Sequence, residues 1–109
     1  MDNAEDIKKE KLNGKQKRYL KSLGHHLSPV VLIGKEGMNV RLIDTVRREL
    51  ANHELIKIKI GNNSNVEKHD AVRTLTAATR SELVQLIGKS LLLFQENPEK
   101  PDDQRIKLP

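Results

Sequence analysis

Apolar side chains recur at helical spacing early in the chain and predict a first helix. Asn13 and Gln16 form a capping-box pattern at its start, because each side chain can accept a hydrogen bond from the backbone N–H of the other. Gly24 is the predicted end, in the left-handed conformation that glycine adopts readily. One face of this helix carries Leu12, Gln16, Tyr19, Leu20 and Leu23. We therefore expect that face to pack on the rest of the fold.

Two later segments also show helical spacing. The second helix is predicted to begin after Asn39, a favourable N-cap residue, and to continue to about Asn52. Its predicted inner positions are Val40, Ile43, Val46, Leu50 and Ala51. The third helix is predicted from about Asn65 to Thr79, and its predicted inner positions are Val66, Val72, Leu75 and Ala78. Both segments are amphipathic, as expected for helices that cover a sheet.

Four short segments have the residue pattern of β-strands. Val30 to Ile33 is apolar on both faces, which favours a central strand. Leu55 to Ile60 alternates isoleucine with lysine, so one face should be buried and the other exposed to water. Glu82 to Ile87 and Ser90 to Gln95 form a predicted hairpin around Gly88-Lys89, with glycine at the first position of a type II′ turn.

The predicted element order is therefore α-β-α-β-α-β-β. Each β-α-β unit should join parallel strands by a right-handed crossover, and the last two strands should be antiparallel. The expected fold class is α/β, a mixed four-stranded sheet with packed helices. The expected divisions are a charged leader over residues 1–12, one domain over 13–95, and a charged, proline-containing tail over 96–109. Ile106 to Leu108 could add an edge strand.

The loop between the first strand and the second helix is the strongest candidate binding site. Gly34 and Gly37 bracket Lys35 and Glu36. Because glycine has no Cβ, the backbone here can approach a rigid anionic ligand closely. The following helix would direct its N-terminal N–H groups and positive dipole end to the same place. Lys35 would add a positive charge and Glu36 would oppose it, so backbone amides should carry the contact. An ordinary strand-to-helix turn explains the same residues.

The distribution of charge favours a polyanionic partner. The chain of 109 residues has a formal net charge of +5, although a mildly basic character is common among small cytosolic proteins. The excess is concentrated near the start, where one acid, Glu10, stands among Lys8, Lys9, Lys11, Lys15, Lys17, Arg18 and Lys21. On the first helix these side chains lie away from the apolar face, with Lys17 toward its edge. The helix should therefore present a basic surface to solvent.

The aromatic content restricts how nucleic acid could be recognised. Tyr19 and Phe94 are the two aromatic residues of the chain, and both are expected to pack in the core. Recognition by serial stacking of bases on aromatic rings is therefore excluded. Recognition through phosphate and ribose contacts and through the shape of the nucleic acid remains. Phosphate contacts predict an affinity that falls steeply with salt concentration.

No enzyme, metal or cofactor site is predicted. The chain has no cysteine, and His25, His26, His53 and His69 lack the spacing of metal ligands. No pair of acids lies in an apolar setting, and no nucleophile elbow or phosphate-binding glycine motif of known nucleotide enzymes is present. His25 or His26 could contact RNA, although either could instead interact with the C-terminal dipole of the first helix.

The absence of a long apolar segment argues against a membrane protein. No run of 18 apolar residues exists, and the first residues are acidic rather than typical of a secretory signal. Together with the absence of cysteine, these features lead us to expect a cytoplasmic protein.

Five segments, in order, resemble the CRM domain, and the chain from about residue 12 to 94 resembles stand-alone bacterial proteins of the YhbY type. The segments are residues 14–20, 25–30, 33–37, 53–57 and 83–89. The resemblance implies an RNA-binding assembly factor associated with the precursor of the large ribosomal subunit, with no preference for DNA. It also implies a fold similar to the C-terminal domain of bacterial initiation factor three. A monomer is the default expectation.

The resemblance also implies which residues contact RNA. They are the loop residues Gly34, Lys35, Glu36 and Gly37 and the first-helix residues Lys15, Lys17, Arg18 and Lys21. Three positions depart from the family pattern: Gly24 replaces a common alanine, Phe94 replaces a frequent tyrosine, and Glu36 places an acid in the loop. The alternative function is a protein-interaction module that uses the sheet edge or second helix, with incidental RNA affinity.

Overall fold

The computed structural model describes residues 11–109, so residues 1–10 of the predicted leader lie outside the described residues. The elements, in chain order, are helix α1 (Gly14–Gly24), strand β1 (Val31–Ile33), helix α2 (Val40–His53), strand β2 (Leu55–Ile60), helix α3 (Lys68–Thr79), strands β3 (Glu82–Ile87) and β4 (Ser90–Phe94), and a short 3-10 turn (Asp102–Gln104). Apart from that turn, this is the predicted order. The α/β fold class with a mixed four-stranded sheet is confirmed.

The strands are arranged in the order β1-β2-β4-β3. β1 pairs with β2 in parallel, and β4 is antiparallel to both β2 and β3. The prediction that the first strand is central is wrong, because β1 lies at the edge of the sheet. Its middle residue, Leu32, is 62% exposed. An apolar run predicts burial on both faces, but the side chain of Leu32 lies on a part of the sheet that no helix within residues 11–109 covers.

Each face of the sheet has its own cluster of buried residues. α2 and α3 cover the first face, and their buried residues Val46, Leu50, Ala71 and Leu75 pack on Val31, Ile33, Ile56, Ile58, Ile60, Leu91 and Leu93. α1 covers part of the second face, where Leu20 packs with Leu55, Val84, Leu92 and Phe94. The predicted alternation along β2 is confirmed, since its isoleucines are buried in the first cluster and Lys59 is exposed.

The capping box that begins α1 and its end at Gly24 are confirmed, but the predicted left-handed conformation of Gly24 is wrong. Asn13 Oδ1 accepts the Gln16 N–H at 2.8 Å, and Gln16 Oε1 accepts the Asn13 N–H at 3.1 Å. Gly24 is a helical residue, and its φ is not left-handed. A Cβ on Gly24 would lie 2.5 Å from Leu92 Cδ2. Glycine here lets the helix approach the sheet closely.

The two aromatic residues differ in burial. Phe94 is 5% exposed, as predicted, whereas Tyr19 is 38% exposed, so the prediction that Tyr19 packs in the core is wrong. The face of α1 that contacts the sheet is centred on Leu20 and Gly24, both buried. Tyr19 lies at the margin of that face.

The second and third helices depart from prediction at their ends. Val40 is 74% exposed and Ala51 is also exposed, so neither belongs to the inner stripe of α2. Val40 is the first residue of the helix. Helical periodicity predicts the side on which its side chain lies, but it does not show whether another residue is there to cover it. α3 begins about three residues later than predicted because Glu67 caps it, accepting the N–H groups of His69 and Asp70 at 3.1 Å each. The backbone hydrogen bond from His69 lowers the pKa of Glu67.

The β3–β4 hairpin has the predicted turn. Gly88 has a φ of +55°, whereas Lys89 is not left-handed, as a type II′ turn requires. The pairing shifts between Leu83 and Gln85, so Val84 is an additional residue in β3. This bulge places Val84 and Gln85 on the same face of the sheet.

The C-terminal segment packs against the second face and is tied to Glu54. Ile106 and Leu108 pack on the second cluster, and residues 106–108 form no strand. The Glu54 carboxylate is fully buried and accepts the N–H of Asn97 at 2.6 Å and of Ile106 at 2.7 Å. Arg105 Nε lies 3.8 Å from the same carboxylate. Glu54 thus connects the α2–β2 junction with residues far along the chain.

Candidate nucleic-acid interface

The loop between β1 and α2 is exposed, and its two glycines have different roles. The Gly37 N–H donates to the Gly34 carbonyl at 3.1 Å and closes a turn. Gly37 has a φ of +71°, and a Cβ there would lie 3.2 Å from Val66 Cγ2. Gly34 is not left-handed, and no atom lies within 4 Å of the position its Cβ would take. The fold requires glycine at position 37 and tolerates a side chain at position 34.

The loop presents donors and a cation to solvent. Lys35 and Glu36 are exposed, and their backbone N–H groups have no hydrogen-bond partner within residues 11–109. At the start of α2, Asn39 Oδ1 accepts the Leu42 N–H at 2.8 Å. One N-terminal donor of the helix is therefore already used, and the exposed amides of Lys35 and Glu36 add two donors for an anion beside the remaining N–H groups of the first turn.

Three turns meet at one edge of the sheet. The Gly61 N–H donates to the Ile33 carbonyl at 2.9 Å, and the Ile60 N–H donates to the Lys89 carbonyl at 2.8 Å. These bonds place residues 34–37, 61–64 and 88–89 side by side, beyond the carboxyl ends of the parallel strands β1 and β2. We call this the carboxyl edge. Open α/β sheets bind ligands in the corresponding position.

The basic helix lies apart from the loop. Lys15, Arg18 and Lys21 are exposed, whereas Lys17 is half-buried. The Leu12 N–H donates to Glu82 Oε2 at 3.0 Å, which places the start of α1 at the first residue of β3. That is the edge opposite the glycine loop, about 20 Å away for a six-residue strand. The structure therefore does not bring the first turn of α1 together with the loop.

The end of α1 lies nearer the middle of the sheet. His25 caps the helix through its N–H, which donates to the Lys21 carbonyl at 2.9 Å, and its side chain is exposed. It lines a groove on the second face together with Lys57. Lys57 and Lys59 were not among the predicted site residues. The signal was present in the sequence, because lysines that alternate with buried isoleucines must project from the opposite face.

Other kinds of site find no support in the same part of the chain. No group of three or more acidic or histidine side chains within residues 11–109 is arranged to hold a metal ion. Across that range, none of the helices has the length and apolar character needed to span a bilayer.

Comparisons with known proteins identify relatives over nearly the whole chain. YqeI of Bacillus subtilis, named a probable RNA-binding protein, is 40% identical over 98 residues, covering 90% of this chain and 99% of its own. An RNA-binding protein of Haemophilus influenzae is 35% identical over 98 residues, covering 90% and 95%. The solution structure of the hypothetical protein SAV1595 from Staphylococcus aureus matches with a TM-score of 0.72 and 43% identity, covering 91% of this chain and all of that one.

The family model for the CRS1 / YhbY (CRM) domain matches residues 12–95. That range runs from the residue before the α1 capping box to the residue after β4, so it includes α1 to α3 and β1 to β4. The resemblance noted from five sequence segments is confirmed: the chain belongs to the CRS1 / YhbY (CRM) domain family.

Proposed function

We propose that this protein binds structured RNA through backbone contacts at the carboxyl edge and along α1. The observation that carries the proposal is the exposed Gly34–Gly37 loop, with two amides that have no partner within residues 11–109 and a lysine beside a helix N-terminus. Relatives named as RNA-binding proteins support it. An acid at position 36 leaves the amides, rather than side chains, to make the main contact.

The separation between the two basic regions favours a folded RNA. The loop and the first turn of α1 lie about 20 Å apart at opposite edges of the sheet. A rigid RNA can present two backbone segments at a fixed separation and contact both regions at once. A flexible single strand would lose conformational entropy to do the same.

We further propose that the RNA is ribosomal RNA in a precursor of the large subunit and that the protein acts in its assembly in the cytoplasm. The family resemblance supports this finer proposal. Sedimentation of a cell lysate through a gradient tests it, with co-migration of the protein and immature large subunits as the expected result. Migration with a protein partner that resists ribonuclease would contradict it and favour the interaction-module alternative.

Lys35→Glu tests the loop directly. We expect the affinity for a structured RNA hairpin to fall about tenfold, or about 1.4 kcal/mol, because the reversed charge faces phosphate. Arg48→Glu is the matched control, since Arg48 is an exposed residue of α2 away from the loop. Titration of each variant with the same labelled hairpin measures the difference. Equal losses in the two variants would show that net charge, rather than the loop, determines binding.

Arg18→Ala tests the basic face of α1. We expect a similar loss of affinity for unrelated structured RNAs, because a phosphate contact carries no sequence information. The slope of log affinity against log salt concentration should shrink by about one if one phosphate contact is lost. Arg73→Ala on α3 serves as the control. A loss confined to one RNA sequence would assign Arg18 to base recognition instead.

A further inference from the structure

α1 covers only part of the second face of the sheet. Beyond the helix, one residue from each strand forms a row across the sheet, in the order Leu32, Lys59, Ser90 and Ile87. Leu32 and Ile87 are each 62% exposed, and Lys59 is exposed as well. We call this row, with Lys57 and Gln85 in the next row, the open sheet face. Leu32 and Ile87 stand at the two edges of this row, with Lys59 and Ser90 between them, so the face presents apolar side chains together with a cation.

A groove joins the open sheet face to the end of α1. It has a volume of about 180 Å³ and is lined by residues that include Gly24, His25, Lys57, Gln85, Ile87 and Ser90. Drug-sized ligands occupy about 300–1,000 Å³, so this groove suits a smaller group such as one nucleobase. Gln85 faces it because the bulge at Val84 turns two successive residues to the same side. No side-chain hydrogen bond of Gln85 is formed among the described residues.

The charge of the open sheet face is positive. Lys57 and Lys59 make no ion pair or side-chain hydrogen bond between residues 11 and 109, and no carboxylate lines the groove. Lys89 lies in the adjacent hairpin turn and is exposed. Cations beside exposed apolar side chains are complementary to a strand that carries phosphates and flat bases. The face is therefore complementary to single-stranded nucleic acid.

The open sheet face also adjoins the carboxyl edge. Lys59 directly precedes Ile60, whose N–H bonds to Lys89, and Leu32 precedes the Ile33 carbonyl that accepts from Gly61. RNA held at residues 34–37 could continue onto this face without crossing a helix. Glu82, the acid of β3, lies at the far end of that strand, where its carboxylate accepts the Leu12 N–H.

We propose that an unpaired RNA segment, continuing from structured RNA bound at the loop, lies across the open sheet face and places one base in the groove. This inference rests on the proposed function. Lys57 and Lys59 contact its phosphates, and the Gln85 amide both donates to and accepts from the base edge. The His25 ring and Ile87 pack on the base in place of the exposed aromatic side chains that the open sheet face lacks.

The test compares a blunt RNA hairpin, the same hairpin with an unpaired extension at either end, and the extension alone as an oligonucleotide. We expect an extension to raise the affinity of the unaltered protein about tenfold. Lys57→Gln combined with Lys59→Gln should abolish that gain. The matched control combines Arg48→Gln with Arg73→Gln, two exposed residues of the helices on the other face. The control variant should still bind the extended hairpin more tightly than the blunt one. Its loss of affinity for the blunt hairpin should equal that of the lysine variant.

The outcomes separate this inference from the proposed function. Equal affinities for blunt and extended hairpins, or a gain that persists in the lysine variant, would overturn the inference and leave the proposed function intact. Failure of the unaltered protein to bind the blunt hairpin would contradict the proposed function. In that event, NMR titration with the oligonucleotide decides the inference. Shifts at Lys57, Lys59, Gln85 and His25 support it, and shifts elsewhere or none overturn it.

Discussion

Replacing Glu54 with alanine is expected to lower the free energy of unfolding by about 3–5 kcal/mol, the range measured when one partner of a buried ion pair is removed. The carboxylate is fully buried and accepts the N–H groups of Asn97 and Ile106. Without it, those two donors lose their acceptor in a region shielded from water, and Arg105 Nε, 3.8 Å away, loses its buried counter-charge. Denaturant unfolding followed by circular dichroism measures the change.

Two further variants identify the cause of that loss. Glu96→Ala removes the other acidic partner of Arg105, but Glu96 is 64% exposed, so its loss should cost about 1 kcal/mol or less. Glu54→Gly keeps a backbone that has a φ of +65° while deleting the carboxylate. Because glutamate and alanine share the strain of this backbone and glycine relieves it, Glu54→Gly should be about 1 kcal/mol more stable than Glu54→Ala and still less stable than the unaltered protein. An alanine variant as stable as the unaltered protein would show that the buried carboxylate contributes nothing.

The role of Glu54 shows why sequence patterns could not reveal every structural determinant. Helical and strand periodicity, together with the caps at Asn13 and Asn39, is local information, and it predicted the order of the elements. The partners of Glu54 lie 43 and 52 residues away. Nothing near position 54 indicates them. The edge position of β1 was missed for the same reason, because strand order depends on pairing between distant segments.

The candidate site was predicted in its parts but not in its arrangement. A glycine-bracketed loop before a helix is visible in the sequence, and so is a basic helix face. Their separation by about 20 Å depends on where α1 crosses the sheet, which periodicity does not determine. The open sheet face was likewise implied by the lysines of β2 but depends on how short α1 is relative to the sheet. Whether each loop glycine serves the fold or the ligand depends on backbone angles.

Gly34→Val is expected to leave the thermal unfolding midpoint unchanged and to weaken structured-RNA binding at least thirtyfold, or about 2 kcal/mol. Position 34 has an ordinary backbone conformation and open space where a Cβ would lie. The fold therefore gives no reason for glycine there. If RNA approaches the backbone at this position, a branched side chain must hold the phosphate away from the amides of Lys35 and Glu36.

Gly37→Ala should have the opposite effect to Gly34→Val and should lower stability rather than RNA binding. Its φ of +71° and the 3.2 Å approach to Val66 Cγ2 make a side chain costly, so the free energy of unfolding should fall by about 1–3 kcal/mol. Unfolding curves and RNA titrations on the same protein samples separate the two effects.

Gly34→Val that binds RNA normally would mean that no phosphate approaches the loop closely. Lys35 would then act through its charge at a distance, and the loop would be the ordinary strand-to-helix turn that its sequence also allows.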